Sequence, residues 1–143
     1  IALRFIELMQ TGDNKEFFNR QHFSADKVKD LLVDQGWTEK ARLIHAGPAI
    51  EYRHSSYLGS VGVIAPYSEN FCDTCNLLRV TAQGQLHLCL FSEKGKDLRH
   101  LLQTTDSAPL TEFLRSSIYE KLPKHYLQQQ KTGATRHFAM LGG

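Results

Sequence analysis

Cys72, Cys75 and Cys89 are the residues whose type and spacing most plainly offer chemistry. Phe71-Cys72-Asp73-Thr74-Cys75 is a CxxC turn, and thirteen residues separate its second cysteine from Cys89. Such a turn lets two thiolates converge on one centre. A hairpin can return a third to the same place, because antiparallel neighbours lie only about 5 Å apart. Three thiolates holding an iron-sulfur cluster leave one iron with an open coordination position, where a substrate nitrogen or oxygen binds directly. The same spacing suits a Cys3His zinc ribbon, since His87 lies two residues before Cys89 and faces the same side of a regular strand. Spacing alone does not separate zinc from iron-sulfur. A partly buried strand histidine and thiols unrelated to metal are the plainer alternatives.

Other residues offer less. Arg79 follows Cys75 by four residues and presents a guanidinium fork to any anion near the cysteines, although a lone strand arginine is usually just solvated. Arg4 and Glu7 interrupt an apolar segment, where buried charge costs several kcal/mol unless it is paired or functional. Each is a partner for the other or for a neighbour elsewhere. Met9 closes that segment and can pack on a flat ligand or on the core. Gly142-Gly143 has no side chain to keep its backbone out of a crowded site, although by itself it reads as a frayed terminus.

The elements that must position these residues follow from pattern. Leu3 to Met9 reads as a buried strand that feeds a functional loop at Thr11-Gly12-Asp13-Asn14. Ser24 to Gln35 reads as a helix: Ser24 is an N-cap, Phe23 and Val28 sit at staple positions, and Gly36 closes the end. Arg42 to His45, Ile50 to His54 and Ser60 to Ile64 read as antiparallel strands. Leu78 to Thr81 and Gln85 to Leu88 flank Gln83-Gly84 as a hairpin that sets Cys75 before one strand and Cys89 after the other. Lys96 to Gln103 reads as a short helix. A longer one starts at Pro109, with Leu110, Phe113, Leu114, Ile118 and Leu122 on one face and Pro123 at its end. The last dozen residues lack periodicity and read as an irregular tail.

The 143 residues suffice for a buried core without disulfide staples. The chain starts at Ile1 with no initiator Met or export signal and is expected to be a piece of a longer protein. No apolar run approaches the roughly 20 residues that cross a bilayer, so no membrane span is expected. Lys and Arg outnumber Asp and Glu by only 17 to 15 and are scattered, which offers no footprint for nucleic acid. Three cysteines without an export signal suit a reducing compartment, and the cytoplasm is the expected location.

The residues also carry a likeness. Leu3-Arg4-Phe5-Ile6-Glu7-Leu8-Met9, Gly47-Pro48-Ala49, Phe71 to Val80, Leu86-His87-Leu88-Cys89-Leu90-Phe91 and the closing Gly142-Gly143 together resemble the MoaA family of radical S-adenosylmethionine enzymes in molybdenum-cofactor biosynthesis. The likeness runs from the first residue to the last. It implies a GTP 3',8-cyclase that makes the cyclic precursor of molybdopterin. An N-terminal incomplete barrel bears a CxxxCxxC cluster that cleaves S-adenosylmethionine to a deoxyadenosyl radical. That motif is absent from this chain, so the chain alone is expected to be inactive.

What the resemblance implies for the fold is α+β. Residues 1–36 would be the terminal strand and helix of an incomplete TIM-type barrel, and residues 37–143 a C-terminal domain with a small antiparallel sheet, the cysteine site, helices and the double-glycine tail. Residue by residue, it implies that Cys72, Cys75 and Cys89 hold a second 4Fe-4S cluster whose open iron binds the guanine of GTP. Leu77, Leu78 and Arg79 would line the GTP site, and Met9 and Arg4 would lie near S-adenosylmethionine. Gly142 and Gly143 would form a catalytic tail. The family usually reads Asn-Arg-Leu-Arg where this chain has Asn76-Leu77-Leu78-Arg79, and a leucine brings neither charge nor donors. The resemblance further implies a cytoplasmic homodimer whose product passes to a cyclic pyranopterin monophosphate synthase.

Overall fold

The computed structural model describes residues 1–43, 46–73 and 75–141. The chain divides into two compact units, Ile1–Met9 with Glu16–Cys75, and Gln10–Lys15 with Asn76–Gly143. Its class is α+β: a four-stranded sheet, a small three-stranded antiparallel sheet and few helices.

The first unit is built on the four-stranded sheet. Strand β1 (Ala2–Ile6) pairs in parallel with β4 (Ser60–Ile64), Ala2 opposite Ser60 and Ile6 opposite Ile64. On the other side of β4 lies antiparallel β3 (Ile50–Arg53), followed by antiparallel β2 (Thr38–Glu39). Parallel neighbours need a long crossover, and here it contains helices α1 (Lys15–Gln21) and α2 (Ala25–Asp34). The core gathers Ala25, Tyr52, Val61, Val63 and Ala65, with Val28, Leu32, Trp37 and Ile50 packed against it.

Local signals set α2 where the sequence puts it. The Ser24 hydroxyl accepts from the Asp26 N–H at 3.2 Å. At the far end the Gly36 N–H bonds Val33 O and the Trp37 N–H bonds Leu32 O, both at 2.9 Å. This is the paired closure that a left-handed residue allows, and Gly36 takes φ +82° to make it. Helix α1 has no counterpart in the sequence reading. It buries none of its residues, so no apolar stripe announces it.

Two expectations for this unit change. Arg42 and Leu43 form no strand, and Ile44 and His45 lie outside the described residues. The pairing falls instead on Thr38 and Glu39, opposite Arg53 and Tyr52, and Lys40 N–H extends it to Glu51 O at 2.7 Å. Arg42 turns away to donate to Gly47 O at 3.0 Å. The second change concerns β1. It is exposed throughout rather than buried, with Leu3 at 53%, Phe5 at 45% and Ile6 at 61%. Among the described residues β1 stands at the edge of the sheet and pairs only with β4, and an edge strand has no neighbour to cover it.

The second unit carries β5 (Arg79–Val80), β6 (Gln85–His87) and β7 (Lys96–Asp97) in that order, all antiparallel. The β5–β6 hairpin is the expected one, turned at Gly84 with φ +73°. The short helix expected over Lys96 to Gln103 is absent. Lys96 and Asp97 pair with Leu86 and Gln85, and the Leu98 N–H bonds Gly84 O at 2.8 Å, so sheet bonding takes the backbone that a helix would use. Burial of Leu86 and Leu98 rewards that choice. Turns follow Leu98 until α3 (Ala108–Tyr119), whose first turn holds Pro109 as expected. That helix stops before Leu122. Leu110, Phe113 and Leu114 are partly buried on one face as expected, and buried Ser117 continues that face in place of Ile118, which is exposed. Beyond it the described residues are irregular apart from 3-10 turns at Leu127–Gln129 and Phe138–Leu141.

Candidate metal centre

Cys72 and Cys75 close the first unit on a succession of tight turns. The Phe71 N–H bonds Ser68 O at 3.3 Å, the Asp73 N–H bonds Asn70 O at 3.3 Å, and the Cys75 N–H returns to Cys72 O at 3.0 Å. That last bond draws the ends of the CxxC together, as a shared centre requires. Both cysteines are half-buried. Thr74 between them lies outside the described residues.

Cys89 stands in the second unit, two residues past β6. It opens a turn in which the Ser92 N–H and hydroxyl both donate to Cys89 O, at 3.2 and 2.9 Å, while the Phe91 N–H points at its sulfur at 3.5 Å. Cys89 is half-buried too, and none of the three cysteines is in a disulfide. Among the described residues, no three His, Cys, Asp or Glu side chains are gathered to hold a metal ion. The chain therefore presents a CxxC pair on one unit and a third cysteine on the other. The donor chemistry, three half-buried sulfurs without crosslinks, suits a thiolate-held iron-sulfur cluster.

His87 is otherwise engaged. Its Nδ1 lies 3.0 Å from Ser92 Oγ, and Gly95 packs so near its Nε2 that an added Cβ would sit 2.7 Å away. Burial pushes its pKa below the ordinary value. These are the properties of a packed strand histidine.

Arg79 lies on β5 opposite His87, half-buried, and has no salt-bridge partner among the described residues. Leu77 and Leu78 precede it and are partly exposed. The Lys121 ammonium donates to Leu77 O at 3.0 Å, bringing a cation to the leucine from a residue 44 positions on. Sequence reading missed Lys121, because nothing local marks a lysine just past a helix as the neighbour of so distant a segment.

Arg4 and Glu7 do not pair with each other. Arg4 Nη2 meets Glu51 Oε1 at 3.0 Å, and its stem packs on Gly62, where a Cβ would approach within 3.3 Å. Arg4 also lines a cavity of about 540 Å³, with Lys40, Arg42, Glu51 and the Gly47-Pro48 loop. Glu7 is buried and meets His22 Nε2 at 2.9 Å, in an aromatic setting that includes Phe18 and Tyr67. Met9 is half-buried just beyond β1. Gly142 and Gly143 lie outside the described residues. No helix among the described residues is long and apolar enough to cross a membrane.

Comparison with known proteins bears on what this arrangement serves. The chain is 51% identical over 144 residues to a GTP 3',8-cyclase of Psychromonas ingrahamii, a match that covers 100% of this chain and 42% of that relative. It is 49% identical to the enzyme of the same name from Stenotrophomonas maltophilia, over 99% of this chain and 44% of the relative. For the one from Vibrio parahaemolyticus it is 45% identical, over 100% and 43%. The chain thus spans less than half the length of these relatives. A family model described as Molybdenum Cofactor Synthesis C matches residues 1–127. On that match and on identities of this size across its whole length, the chain belongs to the Molybdenum Cofactor Synthesis C family.

Proposed function

We propose that the chain is the substrate-binding C-terminal part of a GTP 3',8-cyclase that makes the cyclic precursor of molybdopterin. The observation that carries this reading is the likeness along the entire chain, at 51% identity, to a protein of that name. Cys72, Cys75 and Cys89 are the ligands of a 4Fe-4S cluster in this reading. Such a cluster on three thiolates supplies an open iron to which a nitrogen or oxygen donor of GTP can bind.

The chain's own residues bind and orient. Arg79, half-buried and without a carboxylate partner among the described residues, takes an anionic group of GTP through its fork of donors. Lys121 beside Leu77 adds the charge that the leucine lacks. Leu77 and Leu78 flank the bound nucleotide. Arg4, held by Glu51 on the rim of its cavity, and Met9 at the end of β1 face S-adenosylmethionine. Gly142 and Gly143 are the catalytic tail. A second 4Fe-4S cluster and the cleavage of S-adenosylmethionine belong to the part of the protein that precedes this chain. The full-length protein is a cytoplasmic homodimer, and a cyclic pyranopterin monophosphate synthase consumes its product.

GTP titration of the full-length, anaerobically reconstituted protein tests the reading. Wild type should bind GTP, and Arg79→Ala should bind it about tenfold or more weakly, the usual loss for a charge-assisted contact. Equal affinities would remove Arg79 from the site. No GTP binding by wild type would sink the proposal.

A further inference from the structure

We infer that Gly133 and Thr135 are positioning residues that fix the Cys89 turn and join it to the loop after β1. The inference concerns how Cys89 is presented and rests on the proposed role of that cysteine. Three irregular stretches of the second unit meet here: residues 10–14, 89–92 and 133–136. None is held by a helix or sheet ladder. Their order must come from one another.

Residues 133–136 grip the Cys89 turn through its carbonyls. The Thr135 hydroxyl donates to Leu90 O, and the Ala134 N–H donates to Ser92 O at 3.3 Å. Gly133 lies so close that an added Cβ would fall 2.2 Å from Phe91 O, and its φ is +60°. Only glycine satisfies both the space and the backbone there. The Phe91 ring is held edge-on between His125 at 5.6 Å and Phe138 at 6.5 Å.

The same stretch carries the loop after β1 on its other side. The Gly12 N–H donates to Thr135 O at 3.0 Å, and the Asp13 N–H donates to Arg136 O at 3.3 Å. That loop is itself ordered, with the Thr11 N–H on Asn14 Oδ1 at 2.7 Å and the Thr11 hydroxyl on Asp13 Oδ1 at 2.9 Å. Thr11 and Thr135 are both buried. Thr135 is therefore the one side chain of the stretch whose hydroxyl grips the cysteine turn while its carbonyl holds the β1 loop. The result fixes where the Cys89 sulfur lies relative to that loop.

The test uses the full-length protein in its metal-free form, with the alkylation rate of each cysteine followed by mass spectrometry, and then the iron taken up on reconstitution. Thr135→Val keeps the shape and removes the hydroxyl. It should raise Cys89 alkylation about tenfold, the size of one buried hydrogen bond lost from a local opening, and leave Cys72 and Cys75 unchanged. Thr135→Ser should behave as wild type. Gly133→Ala should act as Thr135→Val does. An unchanged Cys89 rate in Thr135→Val, an equal rise in Thr135→Ser, or a rise shared by all three cysteines would each overturn the inference. Selective exposure of Cys89 in Thr135→Val, in a protein whose wild type takes up no more iron than Cys89→Ser, would uphold the positioning role and refute the cluster reading instead.

Discussion

Arg79 and Leu77 show how much one side chain can decide. The Arg79 guanidinium has no carboxylate partner among the described residues, so an anionic ligand is the partner that would compensate its half-burial. Leu77 offers no charge of its own, and Lys121 reaches its carbonyl instead. Leu77→Arg in the full-length protein should tighten GTP binding, read by titration, and Lys121→Ala should loosen it about threefold to tenfold, as loss of a partly exposed charged contact does. Unchanged affinity in both would detach this segment from the nucleotide. His87 makes a separate prediction. Burial holds its imidazole below the ordinary value of 6.5, so the unfolded chain binds a proton at pH values where the folded chain does not. Its effect is absent above the ordinary pKa, and stability falls as the pH drops from there toward the lower folded value. Urea unfolding of His87→Gln should show a flatter loss of stability on acidification than wild type. Equal slopes would mean that His87 titrates alike in both states. The three cysteines, Arg79 and Arg4 were visible in the sequence as candidates, because residue type and spacing are local facts. The partners were not. That Arg4 meets Glu51 and Glu7 meets His22 depends on which elements the fold brings side by side.

Elements were legible where their determinants are local. The α2 helix follows from Ser24 at one end and Gly36 at the other, and both caps are made as the residue types require. Ser24→Ala should lower stability by about 1 kcal/mol in urea unfolding, the usual cost of an N-cap; a change near zero would show that the helix is held by packing alone. The β5–β6 hairpin was legible for the same reason, since Gly84 supplies the turn. Its substitution by alanine faces both a left-handed backbone and a Cβ 2.7 Å from Arg99 Cγ. The failures are equally physical. Lys96 to Gln103 has helix-forming residues, but β6 offers a ladder that no local pattern announces. Short α1 escaped because it buries nothing, and on α3 the expected face holds at Leu110, Phe113 and Leu114 but passes to Ser117 where apolar periodicity assigns Ile118.

At the scale of the molecule, the exposed apolar face of β1 and its single pairing partner among the described residues belong with the proposal that it is the last strand of a barrel begun earlier in the protein. The relatives, of which the chain spans 42–44%, have the length to supply such a barrel. The chain alone should not cleave S-adenosylmethionine; deoxyadenosine formed by it alone would contradict the division of labour proposed here. The central claim, that Cys72, Cys75 and Cys89 hold an iron-sulfur cluster, is tested most directly by the iron and sulfide content of the full-length protein after anaerobic reconstitution, wild type beside Cys89→Ser. The account predicts a brown wild-type protein that carries about four more iron and four more sulfide per chain than the variant, one 4Fe-4S cluster. A colourless protein with stoichiometric zinc, or equal iron in the two, would contradict it.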